Sequence, residues 1–119
     1  MKYIIISASS DIGKSLVKSL SSAKKIICTH YSGNALKGKN IVNFKLNINN
    51  TNEIYNFSKN KELKNWDVLV ILPGTLEPIG SFSKISSKDW IKSININFTN
   101  QYILLRQLIK HRNLKNKNK

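Results

Sequence analysis

The sequence predicts a doubly wound α/β fold, with four parallel strands in the order 3-2-1-4. Three observations predict it. Residues 2–13, Lys-Tyr-Ile-Ile-Ile-Ser-Ala-Ser-Ser-Asp-Ile-Gly, run from a buried strand through a small-residue turn into a helix start. Continuous apolar runs of strand length then alternate with segments of helical spacing, the pattern of right-handed β-α-β crossovers. A second uncharged run, Val68–Leu72, is ended by Pro73-Gly74. In such a sheet the ligand crevice lies at the carboxyl ends of the strands, where the order reverses. Here that is between strands 1 and 4, at residues 7–13 and 72–75.

Tyr3 to Ile6 is apolar throughout, as a central parallel strand covered on both faces should be. Ile12, Leu16, Val17, Leu20 and Ala23 follow at helical spacing, with Lys14, Lys18 and Ser21 on the other face. Lys25–Thr29 reads as strand 2. Residues 31–39 carry Gly33 and Gly38 and read as a loop with room for one helical turn. Ile41–Leu46 reads as strand 3. Asn49-Asn50-Thr51 offers a cap for a helix to about Lys59, with Ile54, Tyr55 and Phe57 as its apolar face. Strand 4 and a loop over 75–85 come next. Ser86 or Ser87 caps a long helix with Asp89 in its first turn. Its apolar residues are Trp90, Ile91, Ile94, Phe98, Ile103, Leu104 and Leu108. Residues 1–109 form one domain, and 110–119 a basic helix end and loop.

Composition narrows the class. At 119 residues with 40% hydrophobic content the chain is globular and no more than one domain. No apolar stretch nears the roughly 20 residues of a membrane helix, and the start lacks the features of a signal peptide. With a single Cys28, a cytoplasmic location is the expectation. The formal charge is +14, from 20 Lys+Arg against 6 Asp+Glu. A basic chain of this kind raises nucleic acid as a partner. Against it, only Arg106 and Arg112 are arginines, and the lysines are scattered until the C-terminus. Arginine, with its planar fork, is the residue that reads phosphates and bases bidentately.

Four stretches together resemble the N-terminal portion of a short-chain dehydrogenase/reductase, a Rossmann-like family of NAD(P)-dependent oxidoreductases. The first is Ser7-Ala-Ser-Ser-Asp-Ile-Gly13, against a family pattern of Thr-Gly-x-x-x-Gly-x-Gly. Gly13 keeps the last glycine, while Ser7 and Asp11 replace the other two. The resemblance implies that Ser7, Ser9, Ser10, Asp11, Ile12 and Gly13 face the cofactor pyrophosphate at a helix N-terminus. The second is Cys28-Thr-His-Tyr-Ser32, where NAD-specific members have an acid and this sequence has none. That favours NADP(H) over NAD(H), with His30 and Tyr31 beside the ribose. Asn47 and Gly74 are the remaining cofactor positions. The third stretch is Asp67–Gly74, in which Ile71 and Leu72 stand where the family has two asparagines that brace the sheet. The fourth, Ser87–Thr99, matches the family's Asp-Trp helix and puts Asn97 where members bend the helix and hold a water in a proton relay.

The family's acid–base pair, a Tyr-x-x-x-Lys beyond strand 5, has no correctly placed counterpart. Tyr55 and Lys59 fit the spacing but fall in the helix before strand 4. His30, His111 and Cys28 make no metal set. The resemblance thus implies a truncated oxidoreductase, catalytically incomplete alone, whose small-molecule substrate belongs to a complete form. The alternatives are a non-catalytic nucleotide-binding or homo-oligomerising module and a basic nucleic-acid-binding domain.

Overall fold

The computed structural model describes residues 1–20, 22–75 and 77–112. Its four strands, β1 (Lys2–Ile6), β2 (Lys25–His30), β3 (Ile41–Lys45) and β4 (Val68–Ile71), form one sheet in the order β3-β2-β1-β4. Every pairing is parallel, with Ile4 opposite Ile27 on one side and Leu69 on the other. β1 is central because its apolar residues suit both faces: Ile4, Ile5 and Ile6 are all buried.

Alternation along the strands builds two cores. Ile4, Ile6, Ile27 and Leu46 meet Ile54 and Phe57 of α2 (Thr51–Ser58) and Leu104 and Leu108 of α4 (Asn100–Lys110). Ile5, Ile26 and Cys28 face the other way, onto Val17 of α1 (Asp11–Ser19). Helices therefore cover both faces, as a doubly wound sheet requires. Two of the three caps, Asn50 and Ser86, are among those the sequence offers, while α1 is capped by Ser10 and not by Asp11. Ser10, Asn50 and Ser86 accept the N–H groups of Gly13, Glu53 and Asp89 at 3.1, 3.2 and 3.1 Å.

Three expectations need correction. Residues 31–40 contain no helical turn. Instead, Asn43 of β3 holds Leu36 by both backbone groups, accepting its N–H at 3.2 Å and donating to its carbonyl at 2.6 Å. A side-chain amide thus does the tethering that a crossover helix would do. Second, Ile12 is 71% exposed, because Gly13 and Val17 turn inward and leave Ile12 on the outer side of α1. Tyr55 likewise turns out, with Ile54, Phe57 and Ser58 buried in its place. Third, the long helix is three segments. α3 (Ser87–Ile94) leads through a π turn at Asn95–Thr99 into α4. The first two segments bury no residue, and Trp90, Ile91, Ile94 and Phe98 are exposed. The basic tail expected over 110–119 lies outside the described residues from 113 onward.

Candidate dinucleotide-binding crevice

The β1–α1 turn stands at the point where the strand order reverses, between β2 and β4. Ser7 opens it with φ 64°, a left-handed conformation that favours glycine. The turn holds this residue from several sides. Its N–H donates to Thr29 Oγ1 of β2 at 2.8 Å, and its carbonyl accepts Ser10 Oγ at 3.1 Å. Ala8 N–H donates to the Thr29 carbonyl at 3.0 Å. Ser10 then caps α1, so one hydroxyl links the turn to the helix it starts. Gly13 seats that helix against the strand end. A Cβ there would lie 2.4 Å from the Ala8 carbonyl oxygen, a contact that only backbone movement could relieve.

The remaining residues group unevenly. Ser9 lies against the loop after β2, its Oγ 2.7 Å from where a Cβ on Gly33 would be. His30 ends β2, but its Nδ1 is buried without a hydrogen-bond partner, so that atom does not face a ligand. Tyr31 is exposed and carries the Lys45 ammonium 5.8 Å above its ring centre. Asn47 follows β3. Its Oδ1 accepts the Asn49 N–H at 2.9 Å, so its side chain shapes its own turn. Asp11 and Ile12 are both exposed on the first turn of α1, and the Asp11 carboxylate occupies the end of the dipole that attracts anions.

On the β4 side the geometry is tighter. Asn97, in the π turn, grips Thr75 by both backbone groups: Oδ1 accepts its N–H at 2.8 Å, and Nδ2 donates to its carbonyl at 3.0 Å. The same amide reaches Ser93 Oγ at 3.3 Å. Gly74 lies under it, with Asn97 Oδ1 3.3 Å from a Cβ position there. Gln101 Nε2 donates to the Pro73 carbonyl at 2.6 Å, and Asn100 Nδ2 to the Ile48 carbonyl at 2.8 Å. The π geometry is visible in the Asn100 N–H, which bonds to the Asn95 carbonyl five residues back; such turns recur at functional sites. Beside the grip lies a cavity of about 160 Å³, lined by Thr75, Glu77, Pro78, Asp89, Lys92, Ser93 and Ile96.

Thr29 belongs to the Cys28–Ser32 stretch that the sequence places beside a 2′-phosphate, but its hydroxyl is taken by the Ser7 N–H. Asn100 and Gln101 are legible in the sequence only as members of an Asn-rich helix. Tyr55 and Lys59 belong to α2 and its cap, and α2 packs with α4 on the face opposite α1. They are not part of this crevice.

An NAD(P) molecule has a partial match here. A left-handed turn, a capped helix N-terminus and the close Gly13 packing are the features a pyrophosphate site uses. Asp11 is the departure, since its carboxylate would sit beside the phosphates.

No protein-family model and no curated protein matches this sequence. Solved structures do match it in fold. A short chain dehydrogenase family protein from Francisella tularensis subsp. tularensis SCHU S4 superposes with a TM-score of 0.81 at 19% identity, covering 95% of this chain and 47% of that one. A short-chain dehydrogenase/reductase from Serratia marcescens BCRC 10948 gives 0.77 at 18% identity, covering 94% and 52%. Serine dehydrogenase from Escherichia coli gives 0.76 at 21% identity, covering 93% and 56%. The fold is therefore that of part of a short-chain dehydrogenase/reductase, a partial Rossmann-like sheet. The chain spans about half the length of these structures.

Proposed function

We propose that this chain is the cofactor-binding part of a short-chain dehydrogenase/reductase, a family that transfers hydride between NAD(P)(H) and a carbonyl or alcohol substrate. The observation that carries the reading is the Ser7–Gly13 turn, with its left-handed Ser7, Ser10 cap and buried Gly13, at the reversal of strand order. Ser7, Ser9, Ser10, Ile12 and Gly13 hold the pyrophosphate side, and Gly74 borders the far end. Asn97 acts through position: its amide is committed to Thr75, so its part in any proton relay is to set the helix bend and the loop.

NADP(H) is the preferred cofactor in this reading. β2 runs into Thr29-His30-Tyr31-Ser32 with no carboxylate, and Lys45 adds positive charge over Tyr31. A 2′-phosphate is tolerated there, where an acid would repel it. We place the protein in the cytoplasm, where its free, buried Cys28 stays reduced. Among the described residues no helix is long and apolar enough to cross a membrane.

Titration of the purified chain with NADPH and NADH by fluorescence tests this. NADPH is expected to bind at least as tightly as NADH. A clear NADH preference overturns the cofactor choice, and no binding of either overturns the site. Turnover with any carbonyl or alcohol is expected at background, since the family's Tyr and Lys supply roughly 10²–10⁴-fold by acid–base assistance. Turnover lost in Tyr55→Phe would return Tyr55 to the site. A dimerising role is favoured alongside by the exposed Trp90, Ile91, Phe98 and Tyr102.

A further inference from the structure

The two asparagines that brace this sheet in the family are Ile71 and Leu72 here, and both are spent on packing: Ile71 against one core, Leu72 against the other. Neither offers a hydrogen bond to the loop that follows. Pro73 and Thr75 at its start are nevertheless tethered, and from the helix side. Asn97 takes both backbone groups of Thr75. Gln101, one turn later, donates through Nε2 to the Pro73 carbonyl at 2.6 Å and to the Ile96 carbonyl at 3.1 Å. One Gln101 nitrogen thus ties the end of β4 to the π turn that presents Asn97. The two amides, four residues apart on one helix face, clasp Pro73 and Thr75 from the same side, with Gly74 between them.

We propose that Gln101 is a positioning residue for the dinucleotide site, replacing from the helix the bracing that Ile71 and Leu72 cannot provide. It acts through Asn97 and the Pro73–Thr75 backbone and touches no ligand itself. The proposal rests on the reading of this crevice as a dinucleotide site. Both acceptors of Nε2 are carbonyl oxygens, so the donor is what matters. Gln101→Glu keeps the side chain's shape but turns a donor into an acceptor facing two acceptors. A role in filling space would survive that change; a bracing role would not.

The test uses the full chain and two readouts. Hydrogen exchange of the Thr75 amide, measured by NMR against the β1 amides, reports the loop; NADPH titration reports the site. For Gln101→Glu, with the thermal melt checked to show that it folds, Thr75 exchange is expected to quicken by about tenfold or more. NADPH affinity should fall by roughly tenfold, the size expected for losing one or two hydrogen bonds. If Gln101→Glu does not fold, Gln101→Met, equal in length and lacking donors, carries the same two measurements. Wild-type Thr75 protection in the variant overturns the proposal, and so does wild-type affinity with a loosened loop. If the wild-type chain binds no dinucleotide, the functional reading fails, while Thr75 exchange still decides whether Gln101 braces the loop.

Discussion

Gly13 is where a single atom has the largest effect. Its missing Cβ lets α1 approach the Ala8 backbone, and Gly13→Ala would press a methyl to 2.4 Å of a carbonyl oxygen. Overpacking against backbone costs about 1–3 kcal/mol. Denaturant unfolding of Gly13→Ala should show a loss at the upper end of that range, and dinucleotide binding should weaken with it. A second residue sets a pH limit. Cys28 is fully buried, and burial raises its thiol from 9.0 to about 11. The folded chain thus keeps a proton that the unfolded chain releases near pH 9. Its contribution is fully present below that pH and is lost as pH rises towards 11. The loss is on the order of 2 kcal/mol. Unfolding curves between pH 8 and 11 should show this fall in the wild type and not in Cys28→Ala. A thiol reagent at pH 8 should label Cys28 only as fast as the chain opens.

At the scale of elements, two segments are held by side-chain amides in place of regular structure. Asn43 holds Leu36 across the β2–β3 connection, and Asn97 holds Thr75 after β4. Each amide mimics a strand neighbour by bonding one N–H and one carbonyl. Asn43→Ala should release the 31–40 segment, because Leu36 then has no such tether. We expect a loss of about 1–2 kcal/mol, from two hydrogen bonds partly replaced by water. Limited proteolysis should cut the variant within 31–40 before the wild type. Uniform cleavage elsewhere would count against the strap. At the amino end of the sheet, Lys25 pairs with Glu62, which holds that carboxyl below its usual range by hydrogen bonding and charge. The pair's contribution is present above the unfolded carboxyl value and is lost as pH falls through the lower, folded one.

Over the whole molecule, the radius of gyration is 15.6 Å, against roughly 13–14 Å for a compact chain of this length. α3 and the π turn bury no residue. Ile91, Ile94, Phe98, Tyr102, Leu105 and Ile109 recur every three or four residues across α3, the π turn and α4, and all are exposed. β4 adds an edge with four apolar residues and no charge. Monomers seldom leave such surfaces bare. Sedimentation velocity is expected to show association that grows with concentration, reduced in Phe98→Glu. A monomer at all concentrations, with a cooperative melt well above room temperature, would argue that this surface is tolerated in water.

Much of this was legible from residue order alone. Strand length, apolar runs and cap residues are local properties, so the four strands, their order and the capping segments at 49–51 and 86–87 could be read directly, whereas the cap of α1 is Ser10 and not its acidic neighbour Asp11. The turn at Ser7–Gly13 was legible for the same reason: a small-residue turn between strand and helix is a short-range pattern. What only the tertiary structure decided depends on which distant groups meet. Ile12 and Tyr55 look as apolar as their neighbours, and their outward rotation follows from which helix face met the sheet. Thr29, 22 residues from Ser7 in sequence, becomes its hydrogen-bond partner because β2 lies beside β1. Asn97 and Gln101 grip residues 22 and 28 positions away. A polar side chain advertises its donors in the sequence, but only the packed chain assigns them an acceptor.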